Sequence, residues 1–193
     1  MRIGLAIGHS YRTNIKERLW EVKVCQGAHD TLLPLLLHSG WDVVAIAPYQ
    51  YKALNNNDAL RYKVSTFNNA YVDLAIELHI NAGGGNYSTA IYWDSPVTFS
   101  HSEHSKGKKC AEEICKEFRV LPWRTIGAKP QSYFDRTLYF LNNCHAPAVI
   151  VEPSFKDLPK QRAFMETPTG QALYATSVYQ ALEVYRRGQG AVA

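Results

Sequence analysis

The sequence has no cysteine pairing to build on. Its four cysteines, Cys25, Cys110, Cys115 and Cys144, form no CxxC pair in 193 residues, which argues against a thiolate metal site and against a disulfide framework. Cys25 falls on the core side of an expected helix and reads as a buried free thiol. No stretch reaches the roughly 18 uninterrupted apolar residues of a membrane-spanning helix, so no stable membrane insertion is expected. Met1-Arg2 runs straight into a short apolar segment, without the apolar core and cleavage site of a signal peptide. Charge of one sign is also scarce: 21 basic against 17 acidic residues leave a formal +4. The tightest basic cluster, Lys106, Lys108 and Lys109, has the spacing of a solvated helix face, so no nucleic-acid partner is expected. Internal repeats and linkers are absent. What remains is an ordinary globular balance, 46% hydrophobic and 20% charged, with twelve tyrosines and four tryptophans. Those aromatics fill a core or, at its edge, offer flat faces to a ligand such as a sugar.

Apolar periodicity divides the chain into alternating strands and helices. Strands are expected at Ile3 to Ile7, Trp41 to Ala47, Leu74 to Ile80, Ala90 to Trp93, Leu138 to Leu141 and Ala148 to Val151. Helices are expected from Leu19 to His38, after the Asn55 to Asp58 turn into the late sixties, from Ser100 to Phe118 and from Thr169 to Tyr185. Ser10 to Arg18 and the proline-bearing stretch Leu121 to Arg136 read as loops. Gly83-Gly84-Gly85 reads as a mobile loop after the third strand. This pattern predicts a single-domain α/β layered fold over residues 1–188, with a mixed, mostly parallel central sheet flanked by helices, and a flexible tail at 189–193.

In such sheets ligands bind beyond the carboxyl ends of the strands. Three polar residues stand there: His9, His79 and Glu152. Each alone has a plain explanation, because a strand-end histidine is ordinarily a satisfied polar residue and a helix-start glutamate ordinarily complements the helix dipole. Together with Glu21, at the head of the first helix, they form a set. Two imidazoles and one carboxylate suit a catalytic zinc with one open position. A second carboxylate, Glu152, is left over to serve as general base. Glu17 rivals Glu21 as the carboxylate ligand, but Glu21 leads directly into the apolar-periodic helix. Asn81, two residues beyond His79, points to the same side of an extended strand and is a candidate substrate contact. His101, His104, His29, His38 and His145 read as helix or turn residues outside this set.

The order Gly8-His9, Glu21, His79-x-Asn81-Ala82 and Pro147-Ala148-x-x-Val151-Glu152 resembles the zinc-dependent N-acetylmuramoyl-L-alanine amidases of the amidase-3 type. The resemblance covers Ile3 to about Tyr185, and Arg61 and the Asn68/Asn69 pair resemble the family's Arg and Asn ahead of the His-x-Asn strand. It implies that His9, Glu21 and His79 hold one zinc ion and that Glu152 moves the proton. The implied substrate is peptidoglycan, cut between the lactyl group of N-acetylmuramic acid and L-alanine. The compact form is similar to a phage or prophage lysis enzyme, made in the cytoplasm and released to the wall by a separate route. Three departures lie beside the site. Ser10-Tyr11 follows the Gly-His pair where a second glycine is usual, Glu77-Leu78 replaces Ser-Ile, and Pro153-Ser154-Phe155 replaces a Gly-Phe ending. Two alternatives stay open at this level: a zinc carboxypeptidase or endopeptidase on stem peptides, and a non-catalytic wall-binding module of the same fold.

Overall fold

A computed structural model describes residues 1–10, 16–47, 55–94 and 101–190. The elements run β1 (Arg2–Ile7), α1 (Lys16–His38), β2 (Asp42–Ile46), α2 (Asn56–Asn69), β3 (Leu74–Leu78), β4 (Ser88–Tyr92), α3 (His101–Glu117), β5 (Thr125–Pro130), α4 (Tyr139–Asn143), β6 (Ala148–Glu152), α5 (Pro159–Met165) and α6 (Pro168–Gly190). One six-stranded sheet is ordered β2-β1-β3-β6-β4-β5. β2, β1, β3 and β6 are mutually parallel, while β4 is antiparallel to β6 and parallel to β5. The expected mixed, mostly parallel α/β fold is the one observed.

Alternation along the central strands explains the layers, since successive side chains face opposite sides. Ile3, Leu5 and Ile7, Leu74, Ile76 and Leu78, and Val149 and Val151 form one core with α1, α3 and α6. Ala6, Ala75, Ala148 and Ile150 face the other core, beneath α2 and α4. Gly4 shares that second face, where an added Cβ would come within 2.8 Å of the Phe67 ring. The absent side chain is what lets α2 seat its aromatic on the sheet.

Five expectations are corrected. Leu138 to Leu141 is not a strand: Tyr139–Asn143 is a helical turn whose Phe140 and Leu141 are buried in the second core. A four-residue apolar run carries too little periodicity to separate strand from helix. Thr125–Pro130, expected as loop, is the edge strand β5. Its pairing with β4 shifts register between Ser88 and Ala90, and Gly127 has φ +76°. Such an irregularity breaks the period-two alternation, and proline is tolerated at an edge. Helix α6 continues to Gly190, past the expected end at Tyr185; 191–193 lie outside the described residues. The helix of α1 likewise begins at Lys16, inside the expected loop, and α5 was not expected at all. All four cysteines are free and buried.

Candidate metal and catalytic site

The three adjacent parallel strands β1, β3 and β6 end at Ile7, Leu78 and Glu152, which brings Gly8-His9, His79 and Glu152 to one edge of the sheet. His9 adopts φ +58°, a left-handed conformation costing a non-glycine residue on the order of 1–2 kcal/mol. Such strain is held where the surroundings fix it. Gly8 is irreplaceable for another reason: an added Cβ would fall into the His79 ring. The two imidazoles stand edge to face, 5.2 Å apart and at 80°.

Glu21 enters from α1. It lies on the same helical face as Val24, Cys25 and Ala28, so the buried stripe delivers its carboxylate beneath the strand ends. Only 1% of its side chain is exposed. Oε1 accepts the Ile80 N–H at 3.0 Å and lies 3.0 Å from His79 Nδ1. Oε2 lies 3.4 Å from His9 Nε2 and accepts from Lys156 Nζ at 3.0 Å. One ligand atom from each of His9, Glu21 and His79 falls within 4.8 Å of the others. Glu17 is elsewhere: exposed on the first turn of α1, it is ion-paired to Arg162 of α5.

Burial and pairing set the protonation states without a metal. Burial raises Glu21's pKa, but hydrogen bonds from His79 and His9 prevail and hold it well below the carboxylate range. Burial dominates at His9 and lowers its pKa, against the hydrogen bond to Glu21. Burial also acts to lower His79, yet the Glu77 carboxylate and Glu21 overcome it and carry the ring to about 10. Glu152 is raised by burial, against His79 and Arg136. Its Oε1 is 3.4 Å from Arg136 Nη2, and its Oε2 is a buried oxygen with no hydrogen-bond partner among the described residues. An unpaired buried carboxylate oxygen is costly, and it belongs where a proton or a ligand arrives.

These residues line a cleft of about 400 Å³, with Asn81, Arg136 and Lys156 on its walls. Asn81 joins Phe155 in an isolated parallel bridge, and its Oδ1 accepts the Ala82 N–H at 2.8 Å. The neighbouring glycine loop is tied down by Asp157, whose Oδ2 accepts the N–H groups of Gly83 and Gly84. Arg61 points to solvent, 4.0 Å from Asp58. Asn68 instead stitches α2 to the approach of β6, donating to Asn143 O at 2.9 Å and accepting from His145 N–H at 2.8 Å. His29 is buried within α1 and pairs with Asp30, and His38 closes the same helix. The side chains of His101 and His104 lie outside the described residues. Sequence reasoning passed over Lys63, Arg136 and Lys156. Lys63 left a signal: it sits one turn from Leu60 and Phe67, on the buried face of α2.

A His–Glu–His cluster with a spare buried carboxylate at the carboxyl ends of parallel strands has the donor set of a metallohydrolase. Residues 5–184 match the Amidase_3 family, N-acetylmuramoyl-L-alanine amidase, and the chain belongs to that family. It is 23% identical over 147 residues to the germination-specific N-acetylmuramoyl-L-alanine amidase of Bacillus subtilis (strain 168), covering 75% of this chain and 59% of that protein. The fold is shared with the catalytic domain of the CD27L endolysin targeting Clostridia difficile (TM-score 0.67, 23% identity, 94% of this chain and 96% of that one). It is also shared with the CwlD amidase of Clostridioides difficile, solved with the GerS lipoprotein (TM-score 0.73, 18% identity, 96% and 98%). Among the described residues no helix is long and apolar enough to cross a membrane.

Proposed function

We propose that this chain hydrolyses the amide bond between N-acetylmuramic acid and L-alanine in peptidoglycan, with His9, Glu21 and His79 holding one zinc ion and Glu152 as general base. The observation that carries it is the convergence of the three donors beside the partnerless Oε2 of Glu152, in a member of this family. The donors fit zinc in kind, two imidazoles and one carboxylate. A zinc ion held there supplies Lewis acidity to the scissile carbonyl and acidifies water. Glu152 takes the proton of the attacking water and hands it to the leaving amine of L-alanine. Burial favours that exchange by bringing its pKa closer to neutral. Arg136, against Oε1, keeps the carboxylate aimed while Oε2 stays available. Asn81 lines the cleft beside His79 and is proposed as a substrate contact.

Mass analysis of digested peptidoglycan tests the bond. Intact stem peptides with a free L-alanine amine are expected, and release of a terminal amino acid instead would make the enzyme a carboxypeptidase. Glu152→Ala should slow clearing of a wall suspension by about 10²- to 10⁴-fold with metal content unchanged; clearing at the wild-type rate removes Glu152 as the base. We extend the proposal to a phage or prophage lysis setting, made in the cytoplasm and released to the wall by a separate route. The endolysin domain that shares the fold supports it. Expression inside a host should then lyse cells only when the membrane is opened by a second agent.

A further inference from the structure

Behind the metal donors lies an ion pair that neither the donor set nor the general base accounts for. Glu77 and Lys63 are 1% and 0% exposed and ion-paired to each other. A buried pair of this kind is often no more stabilising than apolar residues of the same volume, so its presence calls for a geometric reason. The geometry offers one. Glu77 precedes His79 by two residues on β3, on the same side of the strand. Its Oε1 meets Lys63 Nζ, and its Oε2 lies 3.0 Å from His79 Nε2. Lys63 Nζ also donates to Ile7 O at 3.0 Å, at the end of the strand that leads into Gly8-His9.

We propose that Glu77 and Lys63 are positioning residues of the metal site. Glu77 holds the Nε2–H of His79 so that Nδ1 faces the metal, and Lys63 fixes Glu77 while anchoring the strand end that carries His9. The inference rests on the zinc reading above. A carboxylate bound to an ammonium can only accept from the ring, so Glu77 keeps a hydrogen on Nε2, and Nδ1 is the nitrogen that gives up its proton when a metal is bound. Nδ1 is the atom 3.0 Å from Glu21 Oε1, inside the donor cluster. Gly8 leaves no room on the ring's face, so His79 is held at Nε2, at Nδ1 and across one face.

Long-range 1H–15N spectra of the zinc-loaded wild type test the assignment directly. His79 is expected to show a protonated Nε2 and a metal-bound Nδ1; a metal-bound Nε2 overturns the inference while leaving the zinc reading intact. Competition with a chromophoric chelator supplies the second measurement. The double variant Lys63→Met/Glu77→Leu removes both charges, so neither is stranded. It should lose about 10- to 100-fold in zinc affinity, with unfolding of the metal-free protein no earlier than wild type. Unchanged affinity overturns the inference. If the variant does not fold, the wild-type spectrum decides alone. A wild type that takes up no zinc removes the zinc reading and this inference with it.

Discussion

Gly8→Ala is the smallest substitution that should disable the site. Position 8 has no unusual backbone angle to protect, so strain at the alanine itself is not the issue. The conflict is with His79: an added methyl falls within the envelope of ring atoms Cε1, Nε2 and Nδ1. Reaching ordinary contact, about 3.5 Å, requires the ring to retreat by more than about 1 Å. Flexible side chains absorb such a shift, but this ring cannot, because Glu77 and Glu21 each lie 3.0 Å from one of its nitrogens. Retreat therefore breaks at least one of those contacts and moves Nδ1 out of the donor cluster. Overpacking of this kind typically costs about 1–3 kcal/mol of stability, and a displacement of about 1 Å in a reacting site costs about 10²-fold in rate. Thermal unfolding, zinc competition and wall-clearing assays on the purified variant read the three consequences separately. The expected result is a folded protein with weakened zinc binding and a rate lower by about 10²-fold or more. A variant with wild-type zinc affinity and rate would mean that His79 is not held where its contacts place it, and the reasoning would fail.

The metal-free protein should show a distinctive pH window. Glu77, lowered from 4.5 to about 2, contributes stability that is present above 4.5 and is lost as pH falls toward 2. His79, raised from 6.5 to about 10, contributes stability that is complete below 6.5 and is lost as pH rises toward 10. Melting of chelator-treated protein should therefore be highest between about pH 4.5 and 6.5 as far as this cluster contributes. Added zinc should restore the alkaline side, where the metal takes the place of the His79 proton; an alkaline decline identical with and without zinc refutes the assignment. Glu21→Ala should weaken zinc binding by more than the about 10- to 100-fold typical of losing an outer partner. Glu17→Ala should leave it unchanged, since Glu17 is exposed and ion-paired to Arg162, outside the donor cluster. Chelator competition on the two variants distinguishes them, and the opposite ranking would reassign the ligand.

Much of this was legible in the sequence, for identifiable reasons. Central strands such as Leu74–Leu78 and Ala148–Glu152 are, Glu77 and the terminal Glu152 apart, apolar on both faces because helices cover both. Their ends can therefore be found where the apolar run gives way, at His79 after Leu78 and at Glu152 after Val151. Edge elements lack that signal: β5 is paired on one side only and carries an irregular register. The α4 turn was misread because Phe140 and Leu141 owe their burial to α2 and the sheet, not to a local period. Glu77 was visible as an acid inside an apolar strand, but its partner could not be named, because nothing local relates position 77 to Lys63 one helix earlier.

That kind of pairing governs the charge of the whole site. Glu77 has Lys63, Glu21 has Lys156 and Glu152 has Arg136, partners lying 14, 135 and 16 residues away in the chain. Each of the three carboxylates thus faces one cation before any metal is considered. Had the donors been uncompensated acids, a divalent ion would merely neutralise them, and the loaded cleft would be electrostatically flat. With the acids already matched, a zinc ion held as proposed would leave positive charge in excess even after His79 gave up its proton. Excess positive charge over a buried cleft suits a reaction in which negative charge grows on a carbonyl oxygen as the amide is attacked. On the proposed reading Lys63, Lys156 and Arg136 are therefore as much a part of the chemistry as the three donors: they would keep the acids from consuming the field a metal supplies.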